Sequence, residues 1–370
     1  MERAEYNYWL SNIKNLGAVT IEKLLKNFGD AKELFNASRQ ELEAKSGLNE
    51  ALINNIINSR NIKKIQSGYD KLITSGIYFV SKEDKHYPEK LKHIYGAPFA
   101  LYIKGKLPKD NEKTIAIIGA RECTAYGREM ARYFARELAS QGISIISGLA
   151  RGIDCAAHQG ALQVSAITYG ILGCGIDICY PRENIKTYME IQSQGGIISE
   201  YAPGTPPLSC NFPMRNRIIS GLSDGILVIE AKKKSGSLIT VDMGLDHGKN
   251  IYALPGRVSD KLSEGCNNLI KMGAKLVTSP MDILEDYYIS NEKNFKKKCQ
   301  NKTMENKNKY NLLESNGKIV YANLSLEPKH IDIIALETKL PFDCLMEQLL
   351  ILELQGLIKQ PIRNYYMIES

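Results

Sequence analysis

The sequence predicts an α/β fold, an extended Rossmann-like, doubly wound and mostly parallel sheet, flanked by a helical module before it and a winged-helix-like module after it. Three observations carry this. Short apolar runs alternate with helix-length segments between residues 114 and 288. Those runs are continuously apolar, as strands are when helices cover both sheet faces. The first seventy and last sixty residues are patterned differently, as helices that end in a terminal hairpin.

The N-terminal stretch is expected to be all-helical over residues 1–70. Ile13-Lys-Asn-Leu-Gly17 leads into an apolar 3–4 spacing over 21–28, and Ser46-Gly47-Leu48 leads into a weaker copy over 51–57. Two such units suggest a helix-hairpin-helix or SAM-like module. Its glycine turns could present backbone N–H groups to a phosphate, or the module could serve packing alone.

Over 71–288 the expected strands are 114–118, 143–147, 166–171, 196–199, 226–230, 250–254 and 275–278, with helices 125–141, 153–164 and 238–247 between them. Residues 289–309 read as a linker, because from 291 on they are polar, Lys/Asn-rich and aperiodic, with only Phe295 and Met304 as large apolar residues. Helices over 309–314, 328–337 and 341–354 and a hairpin over 357–368 then compose the winged-helix-like module of residues 310–370.

Composition is that of a globular protein, 44% apolar and 24% charged over 370 residues. The formal charge of +7 is mostly local, because residues 291–310 hold seven Lys against two Glu. Overall basicity therefore says little about a nucleic-acid site, and placed residues must make that argument. Eight cysteines contain no C-x-x-C pair and no histidine at zinc-finger spacing. Reduced cytoplasmic thiols are expected, without a metal or cofactor. No apolar run approaches the ~20 residues that span a bilayer, so no membrane association is expected.

In a doubly wound sheet ligands gather at the carboxyl ends of the strands, where helix N-termini offer free N–H groups. Gly119-Ala-Arg121-Glu-Cys-Thr-Ala-Tyr126-Gly follows the first of these strands. It lacks G-x-G-x-x-G spacing, and no acidic residue ends the next strand to hold a ribose, which disfavours NAD. Ser147-Gly-Leu-Ala-Arg151-Gly-Ile-Asp154-Cys-Ala-Ala-His158 follows the second. Ser147, Asp154 and His158 could be read as a hydrolytic set. The plainer reading has Asp154, one turn from His158, fixing the imidazole and capping the helix.

The third such loop, from Gly173-Cys-Gly175 to Tyr180-Pro-Arg182-Glu-Asn184, offers a stacking face and a cation. In Phe212-Pro-Met-Arg215-Asn-Arg217, the two arginines are about 200° apart on a helix. One is expected to face a ligand and the other an internal carboxylate, Glu200 or Glu230. Finally, Lys232-Lys-Lys234-Ser-Gly-Ser237 places three lysines before a helix start, an anion nest.

Taken in order, GARECTAYG, SGLARGIDCAAH, GCGIDICYPREN, FPMRNRIISGLS, SGSLIT and ALPG resemble the DprA/Smf family of DNA-processing proteins over residues 78–284. The resemblance implies single-stranded-DNA binding, a homodimer and loading of RecA recombinase onto DNA in natural transformation. It also implies phosphate contacts at Arg121, Arg182, Arg215 and Arg217. The residues themselves suggest the same mechanism. Arg121, Arg151, Arg215, Lys232 and Lys234 would supply cations, Gly119 and Ser237 the turns around phosphates, and Tyr126, Tyr180 and Phe212 aromatic faces for bases.

A rival enzymatic reading, a Rossmann-like nucleoside monophosphate hydrolase, would need a P-G-G-x-G-T segment that is absent, with Glu230 as the carboxylate best placed for acid–base work. The helix over 341–354 carries Asp343, Glu347 and Glu353 and no Lys or Arg. A recognition helix among phosphates would be basic, so this module is expected to contact protein, or its own chain, rather than DNA.

Overall fold

The computed structural model of the 370-residue chain describes residues 1–287 and 315–368. The linker expected over 289–309 and the helix expected over 309–314 lie outside them. The core is one nine-stranded sheet: β1 Tyr78–Ser81, β2 Ala100–Gly105, β3 Thr114–Ile118, β4 Ser144–Ser147, β5 Thr168–Leu172, β6 Gly196–Ser199, β7 Gly225–Val228, β8 Asn250–Ala253 and β9 Lys275–Leu276. Their order across the sheet is β1-β2-β6-β5-β4-β3-β7-β8-β9. The run from β6 to β9 is parallel, and β1 and β2 add antiparallel to its β6 edge. The seven expected strands are the parallel ones, and the two antiparallel strands were not foreseen.

Burial explains the continuous apolar runs: β3, β4, β5, β6 and β7 are buried at every position. Helices Ala125–Ser140 and Ile153–Gln163 cover one face, packing Phe134, Leu138 and Ala157 onto Ile115, Ile117 and Ile145. Helices Asn211–Leu222 and Gly236–Asp246 cover the other, around Ile146, Ile226 and Val228. Thr124 starts the first of these helices by accepting a hydrogen bond from Gly127 N at 2.9 Å.

Chain order fixes the position of the ligand crevice. From β3 the chain moves to β4, β5 and β6 on one side, and from β7 to β8 and β9 on the other. The switch point is therefore the carboxyl end of β3 and β7, where doubly wound sheets bind ligands.

Six helices precede the sheet, among them Ala18–Phe28 after Gly17 and Glu50–Asn58 after the Gly47 turn. They do not form a separate core. Trp9, Leu10, Leu34 and Ile56 belong to one apolar cluster with Phe99, Tyr102, Leu149, Cys174 and Ile191 of the sheet unit.

After the undescribed stretch come helices Ser315–Ala322, Ile331–Thr338 and Phe342–Leu354 and the strands β10 Lys329–His330, β11 Ile358–Ile362 and β12 Tyr365–Ile368, a winged-helix arrangement with its own core. It touches the sheet unit. Leu326 packs against that unit's core, Lys359 Nζ lies 2.5 Å from the buried Glu129, and Arg257 pairs with Glu327 at 3.0 Å. Among the described residues no helix is long and apolar enough to cross a membrane.

Candidate nucleic-acid interface

The loops after β3, β4 and β7 are tied together before any ligand is considered. Ala120 N donates to Glu230 O at 2.8 Å and Ile153 N to Ala120 O at 3.2 Å. Gly119 permits this closeness, because a Cβ there would run into Ile153 and the Glu230 carbonyl. At the β4 loop, Gly152 adopts φ +73 and a Cβ would strike the Ala120 carbonyl. Asn184 Nδ2 donates to Leu149 O and Ala150 O at 3.0 and 3.2 Å, stapling the β5 loop to the β4 loop. This role of the Asn in the Tyr-Pro-Arg-Glu-Asn stretch was not read from the sequence.

These loops enclose a cavity of about 620 Å³ at the switch point. Its wall includes Gly119, Arg121, Phe212, Lys232, Lys234 and Ser237, together with Tyr180, Arg215 and Asp154. Arg121, Lys232 and Lys234 are exposed, free to meet an anion. The helix Gly236–Asp246 opens here, its Ser235 cap accepting from Ser237 N at 3.4 Å, and its N-terminal dipole adds to the cations. Four cationic side chains thus stand against two carboxylates, Glu122 and Asp154. The Arg121 guanidinium lies over the Phe212 ring, 5.6 Å from its centroid, and Tyr180 sits beside Phe212 with ring centroids 5.6 Å apart. Arginine, aromatic and aromatic form a row, which suits alternating phosphates and bases.

Arg215 lies beneath that row. It is 4% exposed, and its Nη1 donates to Gly148 O at 2.7 Å and to Ile171 O. Burial brings its pKa down to about 10, opposed by Asp154, so it stays protonated at neutral pH. Asp154, buried beside it, is pushed up by desolvation against that charge and against N–H donation from Gly148. Gly148 leaves the room this pair occupies, since a Cβ there would press on the Arg215 guanidinium and the Asp154 carboxylate. Arg215 is a structural cation in the cavity floor rather than a surface finger.

Several expected contacts lie elsewhere. Arg217 is not on the cavity wall. It is buried and paired with Glu200 at 2.5 Å, so the internal-carboxylate role falls to Arg217, with Glu200 rather than Glu230 as partner. Arg151 and Arg182 are exposed but do not line the cavity, and Arg151 Nε donates to Glu183 at 2.7 Å. Tyr126 lines a neighbouring cavity of about 810 Å³, shared with Ser325–Pro328 of the winged helix.

Nor do Ser147, Asp154 and His158 converge as a hydrolytic set. Ser147 Oγ donates to Ile117 O at 2.6 Å, while His158 Nδ1 bonds Thr168 Oγ1 at 2.7 Å. Asp154 therefore does not fix His158, as had been expected, but serves Gly148 and Arg215. Glu230, the carboxylate of the enzymatic reading, has both oxygens engaged by Thr124, at 2.9 Å from N and 2.5 Å from Oγ1. Among the described residues no cluster of three metal-ligating side chains occurs.

Comparison with known proteins agrees with this architecture. Residues 78–288 match the family described as DNA recombination-mediator protein A, and residues 312–361 match the DprA winged helix domain. Protein Smf of Escherichia coli K12 is 41% identical over 225 residues, which span 60% of this chain and 60% of that protein. The DNA processing protein DprA of Streptococcus pneumoniae R6 is 43% identical over 204 residues, 55% of this chain and 72% of that one.

The X-ray structure of DNA processing protein A from Streptococcus pneumoniae superposes with a TM-score of 0.69 at 35% identity, covering 77% of this chain and 98% of its own. DNA processing protein A from Helicobacter pylori, described for its single-stranded DNA binding mode, superposes with a TM-score of 0.52 at 30% identity, covering 57% of this chain and 95% of its own. With more than half its length matched in one block and the matching winged helix behind it, the chain belongs to the DNA recombination-mediator protein A family.

Proposed function

We propose that this chain binds single-stranded DNA across the carboxyl ends of β3 and β7 and delivers it to RecA recombinase during natural transformation, acting as a cytoplasmic homodimer. The observation that carries the binding step is the meeting of Arg121, Lys232 and Lys234 with the N-terminus of helix Gly236–Asp246 and the Phe212 ring in one cavity. Cations and amide N–H groups hold phosphates without regard to sequence, and an aromatic ring accepts any base. A duplex hides its bases from such a ring, whereas an unpaired strand does not. The Helicobacter pylori relative's single-stranded DNA binding mode supports the same reading. The family's description as a recombination mediator supports a recombinase as the recipient.

The test is titration of a labelled oligo-dT and a matched duplex at several salt concentrations. The single strand should bind more tightly, and Arg121→Ala should weaken binding while flattening the log–log salt slope by about 0.7, the share of one phosphate contact on a single strand. Arg121→Lys should recover only part, because a point charge lacks the planar fork. An unchanged slope in Arg121→Ala removes that residue from the interface. Equal affinity for duplex sinks the whole reading.

A further inference from the structure

Helix Phe342–Leu354 of the winged helix buries Leu345, Leu349 and Leu352 in its own domain. Its other face leaves Phe342, Met346, Leu350 and Leu354 exposed at 55%, 40%, 58% and 80%. These four are spaced by four residues, so each lies one turn above the last with a drift of about 40° per step, forming a continuous stripe. Asp343, Glu347 and Glu353 are exposed on the same side, and the helix contains no Lys or Arg. A row of four large apolar side chains on a solvent-facing helix is the mark of an interaction surface. The domain's own docking onto the sheet unit, through Leu326, Glu327 and Lys359, leaves this stripe uncovered.

Charge selects among the possible occupants. A nucleic acid would bring phosphates against three carboxylates. A second copy of the same face would set acid on acid as the price of covering the stripe. Residues 291–310 of this chain supply seven lysines, but their large apolar side chains, Phe295, Met304 and Tyr310, stand nine and six residues apart, not at the one-turn spacing that would match the stripe. A basic amphipathic helix from another protein satisfies both features at once, with apolar side chains at i, i+3/i+4 and i+7 against the stripe and Lys or Arg at its margins. We propose that the outward face of Phe342–Leu354 is a docking surface for a basic amphipathic helix of a partner protein.

The probe is a labelled Leu/Lys amphipathic peptide of about eighteen residues, five turns of helix, and its control has every Lys replaced by Glu. Each is titrated by fluorescence anisotropy against the full chain. The lysine peptide should bind and the glutamate peptide should not. Leu350→Glu and Met346→Glu should each weaken binding roughly tenfold or more. Glu347→Lys, which leaves the four apolar side chains of the stripe in place, should also weaken it, and all three variants should keep the wild-type melting temperature and oligo-dT affinity. Equal binding of the two peptides, or indifference to these substitutions, overturns the proposal. So does wild-type self-association in sedimentation that Leu350→Glu abolishes, which gives the face to a second copy. Loss of oligo-dT binding in Leu350→Glu gives it to nucleic acid. Because oligo-dT is measured separately, failure here is distinguishable from failure of the single-strand reading.

Discussion

His158 shows how little of a residue's environment its neighbours in sequence disclose. The ring is fully buried against Thr168, and burial together with the nearby Arg215 charge lowers its pKa from 6.5 to about 3. The folded imidazole stays neutral through a range in which the unfolded chain takes up a proton. Stability is therefore intact above pH 6.5 and falls as pH drops, at about 1.4 kcal/mol per pH unit from this residue alone. Between pH 7 and 5 the wild type should lose more stability than His158→Asn, measured by chemical denaturation at each pH. Parallel curves would show that the histidine carries no such linkage. From sequence, Asp154 was its expected partner because the two are one helical turn apart. The fold instead turns Asp154 toward Arg215, which arrives from a helix more than fifty residues later and could not be seen locally.

At the scale of elements, helix Asn211–Leu222 is anchored by two arginines that point in different directions, as the 200° separation required. One enters the cavity floor and the other meets Glu200, just beyond β6. Removing one member of a buried ion pair strands the other, so Glu200→Ala should cost roughly 3–5 kcal/mol, while Glu200→Leu with Arg217→Met should recover much of that loss. Urea denaturation of the wild type and these two variants decides it, and a double variant no more stable than Glu200→Ala would refute the pairing.

The parallel strands were legible because double-sided burial imposes unbroken apolar runs, as in Thr114–Ile118. β1 and β2 escaped notice because they belong to no strand–helix alternation, joining the sheet antiparallel ahead of it. The exposed cations Arg121, Lys232 and Lys234 were legible as loop residues following strands. The burial of Arg215 was not, because it depends on the space that Gly148 leaves in another loop.

At the scale of the molecule, the winged helix meets the sheet unit at the neighbouring cavity, and none of its described residues lines the one that holds Arg121 and Lys232. Deleting residues 310–370 should leave oligo-dT affinity nearly unchanged, and a large loss in the same titration would place DNA on that domain. From sequence this expectation rests on the acidic helix over 341–354, whereas the seat of Lys359 on Glu129 could be seen only in the fold.

The N-terminal helices stand in another relation to the cavity. Their apolar residues share one cluster with Leu149, beneath the β4 loop, and with Cys174 and Ile176, beneath the β5 loop. The winged helix instead closes its core with its own Val320, Ile334, Leu349 and Ile358. Cooperative units in this chain therefore do not follow the order of its segments. Heating should melt the N-terminal helices and the sheet together in one large calorimetric transition, with the winged helix as a smaller, separable one. A protease that trims the first helices would loosen the floor of the distant crevice, whereas one that cuts off the far end would leave it standing.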